Sequence, residues 1–220
     1  MSRINFGSLE SEPSGLTDLY EILGDARSNV DSSAYVLPSG LQTPTYAKIV
    51  LEKANAPDLA AARMNMRMHR EQTLAEAKIP STIYLGAAAL SHLYFADKDI
   101  MLGQLERVKT AVEDDIEAGP TSLLRIGIIP VSKIKPLPDG LPEGLSLVTP
   151  QDVRVVETDS DTFTVGSDGF EVDRIGESGL RGAEALRRQA MLGSWASMAV
   201  FGEGALALIE ESRAVLMAKA

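Results

Sequence analysis

The chain has 220 residues, in which 31 Asp and Glu outnumber 21 Lys and Arg to give a net charge of −10. With 45% hydrophobic and 24% charged residues it has the make-up of one folded domain, so disorder of the whole chain is excluded. The charge opposes general binding to nucleic-acid phosphates or anionic membranes, both of which need a surplus of cations. Cysteine is absent and His69 and His92 are the only histidines, which excludes disulfides and thiolate chemistry and leaves no basis for a metal or a cofactor.

Residues 1–16 are rich in Ser, Glu, Pro and Gly and read as a flexible leader with neither signal peptide nor anchor, so a cytoplasmic location is expected. A single domain is expected over 17–220. Thr17 to Arg27 predicts a short helix, with Leu19, Ile22 and Leu23 at helical spacing, and Asn29 to Pro44 predicts a loop around Pro38, Ser39 and Gly40. Thr45 to Ala54 resumes helical periodicity. A longer helix is expected from Asp58 to about Lys78, with Met64 and Met68 on its apolar side.

The pattern then changes. Thr82 to Leu85 predicts a strand, Asp99 to Glu117 a helix with Met101, Leu105, Val108 and Val112 on one side, and Leu123 to Val131 a continuous apolar strand. Such a strand after a crossover helix points to a parallel pair buried on both faces. Pro136 to Pro150 is too rich in proline and glycine for an element and reads as a long loop. Val153 to Glu157 and Thr162 to Val165 read as a hairpin, and Ser178 to Ala220 as helix weakened near Gly202 and Gly204. Ala190 to Ile209 is apolar on balance, yet Glu203 and three glycines make it a poor membrane span. The expected class is α/β: a small mixed sheet with a β-α-β core, flanking helices and a long C-terminal helical segment from about residue 178.

Few residues carry a pointed chemical signal. Arg63, Arg67 and Arg70 lie on one helical stripe that can grip a carboxylate or phosphate, although Glu71 can pair with Arg67 and make this an ordinary solvated face. Gln42, Thr43 and Tyr46 end a turn and open a helix, where their polar groups can face a cleft; Thr43 with Pro44 also fits a simple helix cap. Glu157 ends an apolar strand, a position that suits a binding group or general base, and His69 beside Arg70 is a second candidate base. The acidic run Glu113, Asp114, Asp115 and Glu117 reads as a solvated helix end rather than a metal site, and Trp195 as a core or interface anchor.

The run Leu37-Pro38-Ser39-Gly40-Leu41-Gln42-Thr43-Pro44-Thr45-Tyr46-Ala47 resembles the "P-G-L-L-Q-T-x-x-Y-A" signature of an actinobacterial domain of unknown function, found as the antitoxin-like effector part of Xre-type regulators. Arg67 and Arg70 with Leu74 are similar to that family's "R-x-x-R-Q-x-x-L" helix, Gln104-Leu105 to its "Q-L" helix, Arg125 to Pro130 to its apolar strand, and Val155-Val156-Glu157 to its "v-y-v-E" strand. Ala87 and Glu71 stand where the family has an acidic residue and a glutamine. The 16-residue leader is too short for the helix-turn-helix that usually precedes the domain.

The resemblance implies a freestanding effector domain, related to transcription regulators, that binds without turnover and does not itself contact DNA. Gln42, Thr43, Tyr46, Arg67, Arg70 and Gln104 would line the site, with Glu157 as counter-charge. The expected partner is a small-molecule ligand or a small basic protein. The alternative is an enzyme recruited from the same scaffold, acting on a small acidic substrate by general acid/base chemistry at Glu157 or His69. The Ala- and Met-rich C-terminal helix around Trp195 offers a surface for a homodimer.

Overall fold

The computed structural model describes residues 22–33, 37–54, 60–61, 64–65, 68, 72, 74–91, 93, 97–133, 153–165, 172–176 and 178–218. Six strands among them form one sheet: β1 (Ala26–Ser33), β2 (Ser81–Gly86), β3 (Leu124–Ile129), β4 (Val153–Thr158), β5 (Thr162–Val165) and β6 (Val172–Arg174). Their spatial order is β3-β2-β1-β4-β5-β6. The helices whose full bounds are described are α1 (Pro44–Ala54), α2 (Ala87–Ser91), α3 (Lys98–Ala118), α4 (Leu180–Met198) and α5 (Glu203–Ala218). The sheet is mixed: β1, β2 and β3 run parallel, and β4, β5 and β6 continue it antiparallel.

The expected strand-helix-strand unit is β2-α3-β3. Asp97 starts α3 by accepting a hydrogen bond from the Ile100 N–H at 3.0 Å, and Met101, Leu105, Val108 and Val112 form its buried stripe. β3 buries four successive residues from Ile126 to Ile129, as a parallel strand covered on both faces must. The hairpin β4-β5 and helix α1 also fall where the sequence places them. The C-terminal helices part at Ala199–Gly202, where Gly202 has φ +58, so the apolar stretch Ala190 to Ile209 bends instead of continuing. No helix among the described residues is long and apolar enough to cross a membrane.

The N-terminal expectation is corrected. Residues 17–21 of the expected helix lie outside the described residues; 22–24 are helical, and the segment read as helix end and loop is β1, the strand that joins the parallel and antiparallel halves. Its sequence, ARSNVDSS, has only Ala26 and Val30 as apolar residues, so no hydrophobic period announces it. Pairing on both sides compensates for its poor β propensity, with Val30 opposite Thr82 of β2 and Val155 of β4. The three-residue β6 was likewise not anticipated. Between residues 60 and 76 every described residue is helical, but Ala60 and Leu74 are the buried ones, and Met68 is 65% exposed instead of packing. Pro136 to Pro150 lies outside the described residues.

Alternation along the strands builds two faces. On the first, Val30, Tyr84, Val153 and Val155 pack against Met191 and Leu192 of α4, and Trp195 packs against Ile129. On the second, Ile83, Leu85, Ile126 and Ile128 meet the α3 stripe, Tyr46 and Val50 of α1, and Ile209 and Leu216 of α5. Farther along this face, Val156 and Val165 pack with Leu23, Leu74 and Ile79. Trp195 is 1% exposed and packs as a core residue.

The elbow between α4 and α5 closes the outer edge of β3. Val200 exchanges two backbone hydrogen bonds with Ile128, both 2.8 Å, which leaves less of the edge open to foreign strands. This docking depends on Gly127: a Cβ there would lie 2.7 Å from the Phe201 ring and 2.9 Å from Ala199 Cβ. We expect Gly127→Ala to destabilise the fold by about 1–3 kcal/mol through overpacking, measured as a lowered midpoint of urea unfolding.

Candidate functional site

The turn singled out by its Gln-Thr pair is held from three directions. Thr43 caps α1, its Oγ1 accepting from the Tyr46 N–H at 3.3 Å, and Pro44 occupies the first helical position. Gln42 Nε2 donates to the Leu37 carbonyl at 2.5 Å. Gln104, fully buried on α3, accepts from the Thr43 N–H at 2.7 Å through Oε1 and donates to the Leu41 carbonyl through Nε2. The amide of Gln104 thus pairs with the turn as a neighbouring strand would. Tyr46 is 3% exposed within the core; burial pushes its phenol above the ordinary value, while a hydrogen bond from the Leu37 backbone works the other way. Gln42, Thr43, Tyr46 and Gln104 are therefore brought together, and the hydrogen bonds of Gln42, Thr43 and Gln104 hold the turn.

The turn sits over the second face of the sheet, since Leu37 and Leu41 pack with Ile83 and Leu85. The middle of that face is polar. Positions 29, 31 and 33 of β1 share it by alternation, and Asp31 is the register partner of Arg154 in β4. Asp31 Oδ2 and Arg154 Nη2 form an ion pair, with side chains 16% and 9% exposed. Asn29 and Ser33 are each 3% exposed. Asn29 Nδ2 reaches Ser81 Oγ at 3.5 Å, whereas Asn29 Oδ1 and Ser33 Oγ are buried with no hydrogen-bond partner among the described residues. This seam separates the cluster over β2 and β3 from the cluster over β4 and β5.

Leaving a buried polar atom unpaired costs about 1–3 kcal/mol, so two on one strand face need a reason. The Asn29 carbonyl oxygen can accept from an N–H or O–H, and the Ser33 hydroxyl can accept or donate. The Asp31–Arg154 ion pair lies between them on the same strand face.

The other expected site residues lie elsewhere. Glu157 follows Val156 and therefore faces the opposite side of the sheet, where it is exposed and accepts from Ser28 Oγ at 2.7 Å. It does not join the clamped turn. Arg63, Arg67, His69, Arg70 and His92 lie outside the described residues. Among the described residues no group of His, Asp and Glu is arranged to hold a metal ion. Asn29, Asp31, Ser33 and Arg154 escaped sequence reasoning, and their one legible signal was an arginine inside the otherwise apolar run Val153 to Val156.

These features define a layered α/β domain whose sheet carries helices on both faces and a polar central strand. The chain belongs to the family described as a domain of unknown function, DUF5753, whose model matches residues 16–165 and so spans β1 to β5, the clamped turn and the seam. No curated protein matches the sequence.

Two outcomes test this geometry. Gln104→Leu, which leaves the Leu41 carbonyl and Thr43 N–H without their partner, is expected to cost about 2–4 kcal/mol in urea unfolding. Replacing Asp31 or Arg154 alone by an apolar residue is expected to cost about 3–5 kcal/mol, and replacing both together less than either single change, read from a double-mutant cycle.

Proposed function

We propose that the protein is a binding domain, an effector unit of the kind found in transcription regulators, that holds a small donor-rich molecule over the seam of Asn29, Asp31 and Ser33. The observation that carries the reading is the pair of orphaned oxygens, Asn29 Oδ1 and Ser33 Oγ, on one buried strand face beside the Asp31–Arg154 ion pair. The turn clamped by Gln104 would border the ligand and transmit its presence to α1 and α3. Direct DNA binding is disfavoured by the charge of −10. The enzymatic alternative rests on His69 and Glu157, and Glu157 is exposed and faces away from the seam.

The reading makes a test possible before the ligand is known. Ser33→Ala removes a buried hydroxyl that has no partner among the described residues, so it is expected to stabilise the ligand-free protein by about 1 kcal/mol in urea unfolding. A loss of stability would mean that the hydroxyl is already satisfied within the fold, and the seam would lose its claim. Native mass spectrometry of the gently purified protein is expected to show a small-molecule adduct that is absent from the Ser33→Ala and Asn29→Ala variants. A protein adduct unaffected by both changes would favour a macromolecular partner.

A further inference from the structure

A second site lies two strands from the seam, at the outer edge of β3. A cavity of about 500 Å³ opens between the end of α3 and the α4–α5 elbow, a size in the range of small-molecule pockets. Asp115 and Arg125 line it, together with Ile116, Pro120 and Phe201.

Asp115 breaks the pattern of the acidic helix end. Glu113, Asp114 and Glu117 are exposed, but Asp115 is 9% exposed and lines the cavity. Its carboxylate makes no hydrogen bond or ion pair among the described residues, although carboxylates this buried are ordinarily paired. The site is also at the C-terminal end of α3, where the helix dipole favours a cation.

Arg125 supplies the opposite charge. Its guanidinium carbon stands 4.8 Å from the centroid of the Phe201 ring, and no carboxylate pairs with it among the described residues. Phe201 is held in turn by Tyr84, edge-on at 6.2 Å, and by the space over Gly127. A contact with a ring takes up no hydrogen-bond acceptor, so the guanidinium keeps the capacity for a two-pronged hydrogen bond to a carboxylate. Ile116, Pro120 and the Phe201 ring supply apolar wall.

Asp115 and Arg125 do not pair with each other, yet they line the same cavity. An anion alone would meet the carboxylate, and a cation alone would meet the guanidinium. We infer that the cavity formed by Asp115, Arg125 and Phe201 binds a small zwitterion, with an ammonium on Asp115, a carboxylate on Arg125 and an apolar frame against Phe201. A free amino acid or a dipeptide has this chemistry.

Calorimetric titration of the full chain distinguishes them, with phenylalanine, alanyl-phenylalanine, N-acetyl-phenylalanine and phenylalanine amide as probes. At least one of the two zwitterions is expected to bind, the tighter of them showing the source. Each blocked compound is expected to bind about tenfold or more weakly, having lost a charge-assisted hydrogen bond. Asp115→Asn should abolish the preference for the free ammonium, and Arg125→Gln the preference for the free carboxylate, with both variants melting as the parent does. Ser33→Ala should leave these affinities unchanged, which separates this cavity from the seam. Failure of every probe to saturate, or affinities indifferent to both charge substitutions, would overturn the assignment and leave the seam reading untouched.

Discussion

The pairing of Asp31 with Arg154 is the constraint on which the rest of the sheet turns. It sits at the join between a parallel and an antiparallel half, on a strand too polar to be placed by hydrophobic burial alone. A slip of one residue would turn Asn29, Asp31 and Ser33 toward α4 and bury Val30 in their place, leaving Arg154 without its carboxylate. The ion pair therefore fixes the register of β1 against β4, and with it the line along which two hydrophobic clusters meet. A polar seam is costly to stability, and the proposed binding role would give that cost a reason.

The clamped turn shows how one side chain can stand in for secondary structure. Residues 37–43 cross the face of the sheet without a strand to pair with, and buried backbone groups there would go unsatisfied. Gln104 answers for two of them, Gln42 for a third, and Thr43 opens the following helix. The motif that resembles a family signature is thus explained, residue by residue, as the chemistry of holding a turn. A ligand over the neighbouring seam would have a rigid border there, connected through Gln104 to the long helix α3.

What could be read from the sequence followed the strength of the hydrophobic pattern. Helix α3 repeats Met101, Leu105, Val108 and Val112 at helical spacing, and β3 is almost wholly apolar, so both announce themselves. β1 gives no such period, because its stability comes from partners that lie far along the chain. The acidic run at residues 113–117 shows the same limit at the scale of one residue: composition marks a solvated helix end, and only the packing shows Asp115 turned inward. The candidate residues Gln42, Thr43, Tyr46 and Gln104 do come together, for a reason of architecture, while Glu157 is carried to the other face by the simple alternation of a strand.

The sheet order also has a consequence for the way the chain assembles. Ser32 of β1 bonds Val153 of β4 across 121 residues of sequence, whereas β2 and β3 are joined by the much shorter stretch that holds α2 and α3. Closing so long a loop is slow compared with forming the β2-α3-β3 unit. As the chain leaves the ribosome, β1 can pair on its β2 side early, but its other edge stays bare until residues 153–158 have emerged. During that interval the future centre of the sheet is an edge. Its run of serine, asparagine and aspartate makes it a poor template for stray strands, so the polarity that hides β1 from pattern reading also protects the nascent protein from aggregation.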